Sequence, residues 1–170
     1  NALGNGACTV GLCRPDAVLA PAVAELYGPG RMVIVYTLAG AVGFTFTSVA
    51  GQYFGYLPII GGARLSVGAS APIFGLLGAL VFYGQRTGSR HVREAGLQYA
   101  LMMGLFGLIF PGVDNQAHLG GFVGGYLAGL LLDPRKPERI DHLVAGAACL
   151  VATLVAIVAS VVTALPLLMN

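Results

Sequence analysis

Charge is scarce in this sequence. Of 170 residues only 9% are Asp, Glu, Lys or Arg, against about 25% in an ordinary soluble domain, while 56% are hydrophobic. The mean hydropathy of +0.81 excludes a soluble globular domain, and no nucleic-acid partner is expected. Cysteine is scarce too. Cys8, Cys13 and Cys149 have neither metal-ligand spacing nor a paired framework, so a disulfide scaffold is excluded and no metal or cofactor is expected. The chain also lacks an initiator Met, starting at Asn1, and reads as an N-terminally truncated copy of a longer protein.

What is present is a set of apolar runs and 26 glycines. Small residues let transmembrane helices approach closely, and a helix of about 20 apolar residues crosses a bilayer. The fold class expected is therefore all-α: a polytopic membrane helical bundle, with about five spans and one partial span. Residues 1–16 are Gly-rich and end in Arg14-Pro15-Asp16, an ambiguous or disordered start; residues 17–170 form the transmembrane domain. Ala17–Leu26 is short enough to be the tail of a span. Full or nearly full spans follow over Met32–Ala50, Ser66–Gly84, Ala95–Phe110, Ala117–Leu132 and Leu143–Leu165. Between them lie a Gly/Pro turn at 27–31, an interfacial loop at 51–65, a basic loop at 85–94, a turn at 111–116 and a charged turn at 133–142.

Successive turns must alternate across the membrane. Those at 27–31, 85–94 and 133–142 hold Arg31, Arg86, Arg90, Arg93, Arg135, Lys136 and Arg139, whereas the opposite side holds Arg64 alone. The positive-inside rule makes the first side cytoplasmic.

Two glycine-flanked stretches each place one reactive residue at the head of an apolar run: Gly68-Ala69-Ser70-Ala71-Pro72-Ile73-Phe74-Gly75 and Ala117-His118-Leu119-Gly120-Gly121. Ser70 precedes Gly84 by 14 residues and His118 precedes Leu132 by 14. At a rise of ~1.5 Å per residue both sit ~21 Å above the cytoplasmic boundary of a ~30 Å core. Equal depth is what a hydrogen-bonded pair requires. A serine hydroxyl becomes a nucleophile when a base takes its proton, and histidine is the usual base. Asp114 and Glu94 are the nearest carboxylates, but both fall in expected loops, so a dyad is favoured over a triad. An intramembrane serine alone more often bonds the carbonyl one turn back. An ionisable His118 in an apolar run is a functional-site candidate by default. Gly121 and Gly125 present a bare helix face, Gly75 and Gly78 thin the serine helix, and Phe74 projects on the same face as Ser70.

With these residues in place, GASAPIFGLLGAL at 68–80 together with AHLGGFVGGYLAG at 117–129 resembles the rhomboid intramembrane serine proteases, over roughly residues 17–165. The motif positions are Gly68 and Ser70, then Phe74, then His118, Gly121 and Gly125. The resemblance implies an integral membrane protein, expected in a bacterial inner membrane, that cleaves transmembrane protein substrates within the lipid bilayer. Ser70 would be the nucleophile and His118 the base, and the Ser70 backbone N–H would help bind the oxyanion; neither cofactor nor metal is implied. Two departures stand out. Ala71 replaces the usual Gly after the serine. Glu25 matches the family's glutamate on the preceding span, but the His and Asn expected upstream of it fall on Thr9 and Cys13. Loss of one oxyanion donor costs ~2.7–4 kcal/mol, so a pseudoprotease that binds transmembrane helices without cutting them is the alternative. A small transporter is disfavoured, because no inverted repeat and no second buried ionisable group accompany His118.

Overall fold

A computed structural model describes residues 15–55, 66, 68–110 and 112–168. Over these the chain is helical: α1 Pro15–Tyr27, α2 Pro29–Phe54, α3 Ser70–Thr87, α4 Arg90–Ile109, α5 Asn115–Leu131 and α6 Ile140–Leu168. The expectation for residues 1–14, Thr9 and Cys13 included, lies outside the described residues, as do 56–65 of the expected interfacial loop.

Helix α3 is the hub. Twelve of its 18 residues are buried, its largest interface is with α5, and it also touches α1, α2 and α4. The apolar centre gathers Val23, Tyr27, Val35, Leu76, Ala79, Leu80 and Ala128 from α1, α2, α3 and α5. The Tyr27 hydroxyl donates to the Ala79 carbonyl at 2.8 Å, which pins α1 to the hub with its polar end satisfied. Among the described helices, α6 leans on α2 alone and turns Leu150, Val151, Leu154, Val158 and Val162 outward. Such a face is unfavourable in water and ordinary in lipid, which is as apolar as the side chains themselves.

Helices α2 and α6 are each long and apolar enough to cross a membrane. Helix α5 is shorter, at 17 residues, and α3 ends in the polar Gln85-Arg86-Thr87; both bury much of their surface against protein. Their close approach needs glycine: a Cβ on Gly121 would fall onto the Ala71 carbonyl, and one on Gly125 onto the Gly75 carbonyl.

Two expected loops are shorter than the sequence suggests. Helix α2 runs on through residues 51–54, and the basic segment 85–94 is mostly helix, broken only at Gly88 and Ser89. Charge does not end a helix at a membrane boundary, where long basic side chains reach back to water. The break comes instead from Gly88, a left-handed C-cap at φ 74°, followed by Ser89 as the N-cap of α4.

The turns pair as alternation requires. At one end Arg31 enters the 133–142 segment: Nε donates to His142 Nδ1 at 3.1 Å, one terminal nitrogen to the Lys136 carbonyl at 2.7 Å, and the other to the Pro137 carbonyl at 2.8 Å. Its backbone N–H reaches Glu138 at 2.9 Å. Ser70, His118 and Asp114 lie at the opposite end.

Candidate active site

Helix α3 begins at Ser70. The first N–H to enter its ladder is that of Ile73, which donates to the Ala69 carbonyl at 3.1 Å. The N–H groups of Ser70 and Ala71 precede the ladder, and Pro72 has none to leave unsatisfied. Ser70 thus combines a hydroxyl, a backbone N–H outside the helical ladder and the positive end of a helix dipole. Gly68 sets this entry with φ +118°, a conformation that a side chain makes strained. A Cβ there would meet nothing within 4 Å, so the requirement is conformational.

Helix α5 begins three residues before His118. Asp114 caps it, Oδ1 accepting from the Ala117 N–H at 2.9 Å and from the Thr47 hydroxyl of α2 at 2.9 Å. The Asn115 side chain donates to the Gly107 carbonyl at 3.0 Å, which fastens the same end to α4. His118 is 7% exposed, and its ring lies flat on Phe74, with centroids 4.2 Å apart and an interplanar angle of 12°. Phe74 is one turn after Ser70 on α3, so the stack carries the imidazole to the serine-bearing helix. Gly121 and Gly125 act next to it, through the α3–α5 contact already described.

Ser70 and His118 line one cavity of about 540 Å³, together with Ser66, Met102, Met103, Phe106 and Asp114. A second cavity of about 380 Å³ lies between α4 and α5, apolar on most sides, with Leu101, Leu105, Leu119 and Phe122 among its walls. His118 lines both. No hydrogen bond joins the Ser70 and His118 side chains among the described residues. His118 Nδ1 and Asp114 Oδ2 are buried there without a partner.

The two carboxylates weighed from the sequence part company. Glu94 is exposed near the start of α4, just past its first turn, at the far end of the bundle from His118. Asp114 lines the cavity. Its spacing of four residues before His118 was visible, but its use as a helix cap was not. Thr47 was missed altogether, because only the packing of α2 on α5 brings it to Asp114. Among the described residues no group of three or more His, Cys, Asp or Glu could hold a metal ion.

Residues 17–135 match the family model of the Rhomboid domain. The chain is similar to Rhomboid protease GluP of Bacillus subtilis (strain 168), with 31% identity over 134 residues, or 77% of this chain and 24% of that protein. It is 39% identical over 74 residues to RHOMBOID-like protein 4 of Arabidopsis thaliana, covering 41% of this chain and 19% of that protein. With RHOMBOID-like protein 1 of the same plant it shares 31% identity over 109 residues, 62% of this chain and 25% of that protein. No solved structure matches. An all-helical bundle with this domain is a polytopic membrane protein, and the chain belongs to the rhomboid family. The matches span about a quarter or less of the length of these relatives.

Proposed function

We propose that this chain carries the hydrolytic core of an intramembrane serine endopeptidase whose substrates are transmembrane protein segments, resident in a bacterial plasma membrane. The observation that carries the reading is the shared cavity: Ser70 at the head of α3 and His118 in the first turn of α5 open onto one space, with the Phe74 ring stacked on the imidazole. In this reading Ser70 Oγ attacks a peptide carbonyl as His118 takes its proton. The carbonyl oxygen becomes an oxyanion facing the Ser70 and Ala71 N–H groups at the positive end of α3. His118 returns the proton to the leaving amine, and an acyl-serine remains. Water then repeats the sequence: His118 takes its proton, the acyl–oxygen bond breaks, and Ser70 regains its hydrogen. Support for a lipid-borne substrate comes from the position of His118 between a cavity that carries Ser66, Ser70 and Asp114 and a second, almost wholly apolar one.

The test is cleavage of a transmembrane substrate in proteoliposomes, together with labelling by a fluorophosphonate probe. Label on Ser70, lost in Ser70→Ala and His118→Ala, is the expected outcome. Undiminished cleavage by either variant would sink the reading. A second reading, a rhomboid-like protein that binds transmembrane helices without cutting them, is favoured by Thr9 and Cys13 standing where an oxyanion His and Asn are expected. It predicts substrate capture without label or product.

A further inference from the structure

Asp114 has one oxygen with a structural task and one without. Its Oδ1 accepts from both Ala117 N–H and the Thr47 hydroxyl. A serine or threonine would cap α5 equally well and would not bury a second oxygen. Leaving a buried acceptor unpaired is unfavourable, and Oδ2 is in that position. The other buried side-chain atom without a partner among the described residues is His118 Nδ1.

The two atoms are complementary. A carboxylate oxygen accepts only, and a neutral imidazole carries one N–H that it can place on either nitrogen. Asp114 is the N-cap four residues before His118, whose backbone N–H donates to the Asp114 carbonyl at 3.2 Å, so one turn separates the two side chains, and both line the cavity that holds Ser70. A rotamer change or a single bridging water spans that gap. The Phe74 stack holds the plane of the ring but does not choose between its two flips, since either face of the imidazole stacks on Phe74 equally. An acceptor at Nδ1 makes that choice.

We propose that Asp114 is a positioning residue for His118: its Oδ2 accepts a hydrogen bond from Nδ1–H, which leaves Nε2 facing Ser70, while Thr47 holds the carboxylate through Oδ1. The inference rests on the protease reading above. When the Ser70 proton moves to Nε2, the positive imidazolium lies against the Asp114 carboxylate. The proton leaves from Nε2 to the departing amine.

The experiment compares wild type, Asp114→Asn, Thr47→Val and His118→Ala in proteoliposomes. Three quantities are read: kcat and KM for a transmembrane substrate, melting temperature, and the histidine ¹⁵N spectrum, with the His118 signals assigned by their loss in His118→Ala. Asn keeps the N-cap and removes the charge. Expected are a kcat at least ~10-fold lower with KM and melting temperature unchanged, and ¹⁵N shifts leaving the Nδ1–H tautomer. Thr47→Val should move kcat and the spectrum in the same direction by less. A wild-type kcat and unaltered tautomer in Asp114→Asn would overturn the proposal. So would a lower melting temperature with unchanged activity per folded molecule, which would make Asp114 a cap only. If wild type itself neither cleaves nor labels, the protease reading fails, while the tautomer comparison still decides whether Asp114 orients His118.

Discussion

Arg31 lies at one end of α2 and is 2% exposed, yet all three guanidinium nitrogens donate to atoms of the 133–142 segment. At the other end of the bundle, Asp114 and His118 are held just as firmly by a cap and a ring stack, and each keeps one buried atom unpaired. Both ends place polar groups in a low-dielectric interior. The first satisfies them completely, as a purely structural site must, and ties α2 to the start of α6. The second leaves donor and acceptor capacity facing a cavity. Unsatisfied capacity is unfavourable for the fold and available for chemistry, so the difference separates an anchor from a site.

On the protease reading, breaking the Ser70–His118 end should abolish cleavage and leave the fold intact. Ser70→Ala is expected to lower kcat by about 10⁶-fold, with the melting temperature in detergent unchanged. Next in size is Gly125→Ala, which disturbs the α3–α5 interface that joins the two ends. Its methyl would fall on the Gly75 carbonyl, and overpacking there should cost about 3 kcal/mol or more. Denaturation should show that loss, and activity should fall with it as Phe74 and His118 separate.

Arg31→Ala is the mirror image of the serine variant. It removes charge-assisted hydrogen bonds to the 133–142 segment and should cost about 2–3 kcal/mol, while cleavage per folded molecule stays the same. Activity lost without unfolding would dissolve the distinction between the ends. Tyr27→Phe removes the single bond to the Ala79 carbonyl and should cost about 1 kcal/mol, read as a small drop in melting temperature. Smallest is Arg135→Gln. Arg135 holds the Asp133 carboxyl below its ordinary range by a side-chain and a backbone hydrogen bond. A depressed carboxyl contributes stability at neutral pH and loses it as pH falls through the acid range. Arg135 is exposed and Asp133 partly so, so solvent screens the pair and the variant should show only a slight flattening of the melting temperature against pH below about 4.

Much of the fold was legible because a bilayer limits the choices. Long apolar runs must be helices there, and the strongly one-sided Arg and Lys distribution groups the turns into two ends. Boundaries were less legible. The segment 85–94 reads as a loop by its charge, yet Arg86, Arg90 and Arg93 belong to helices, and only Gly88 and Ser89 break the run. A short-range rule for charge misjudges residues whose long side chains can leave the membrane plane. For Ser70 and His118, the spacing to the Arg-rich turns supplied a common depth, and the glycines supplied a way for α3 and α5 to meet.

The sequence by itself determined the helical membrane class, the grouping of its turns and the two residues most able to do chemistry, because these follow from apolar length, charge placement and residue type. Only the tertiary structure decided which polar atoms are satisfied. Arg31 is a long cation near a turn until the 133–142 segment folds over it. Asp114 is a loop carboxylate until α2 brings Thr47 to one oxygen and the packing around the start of α5 buries the other without a partner. Those partnerships join residues 67 and more than 100 positions apart, and no local pattern encodes them.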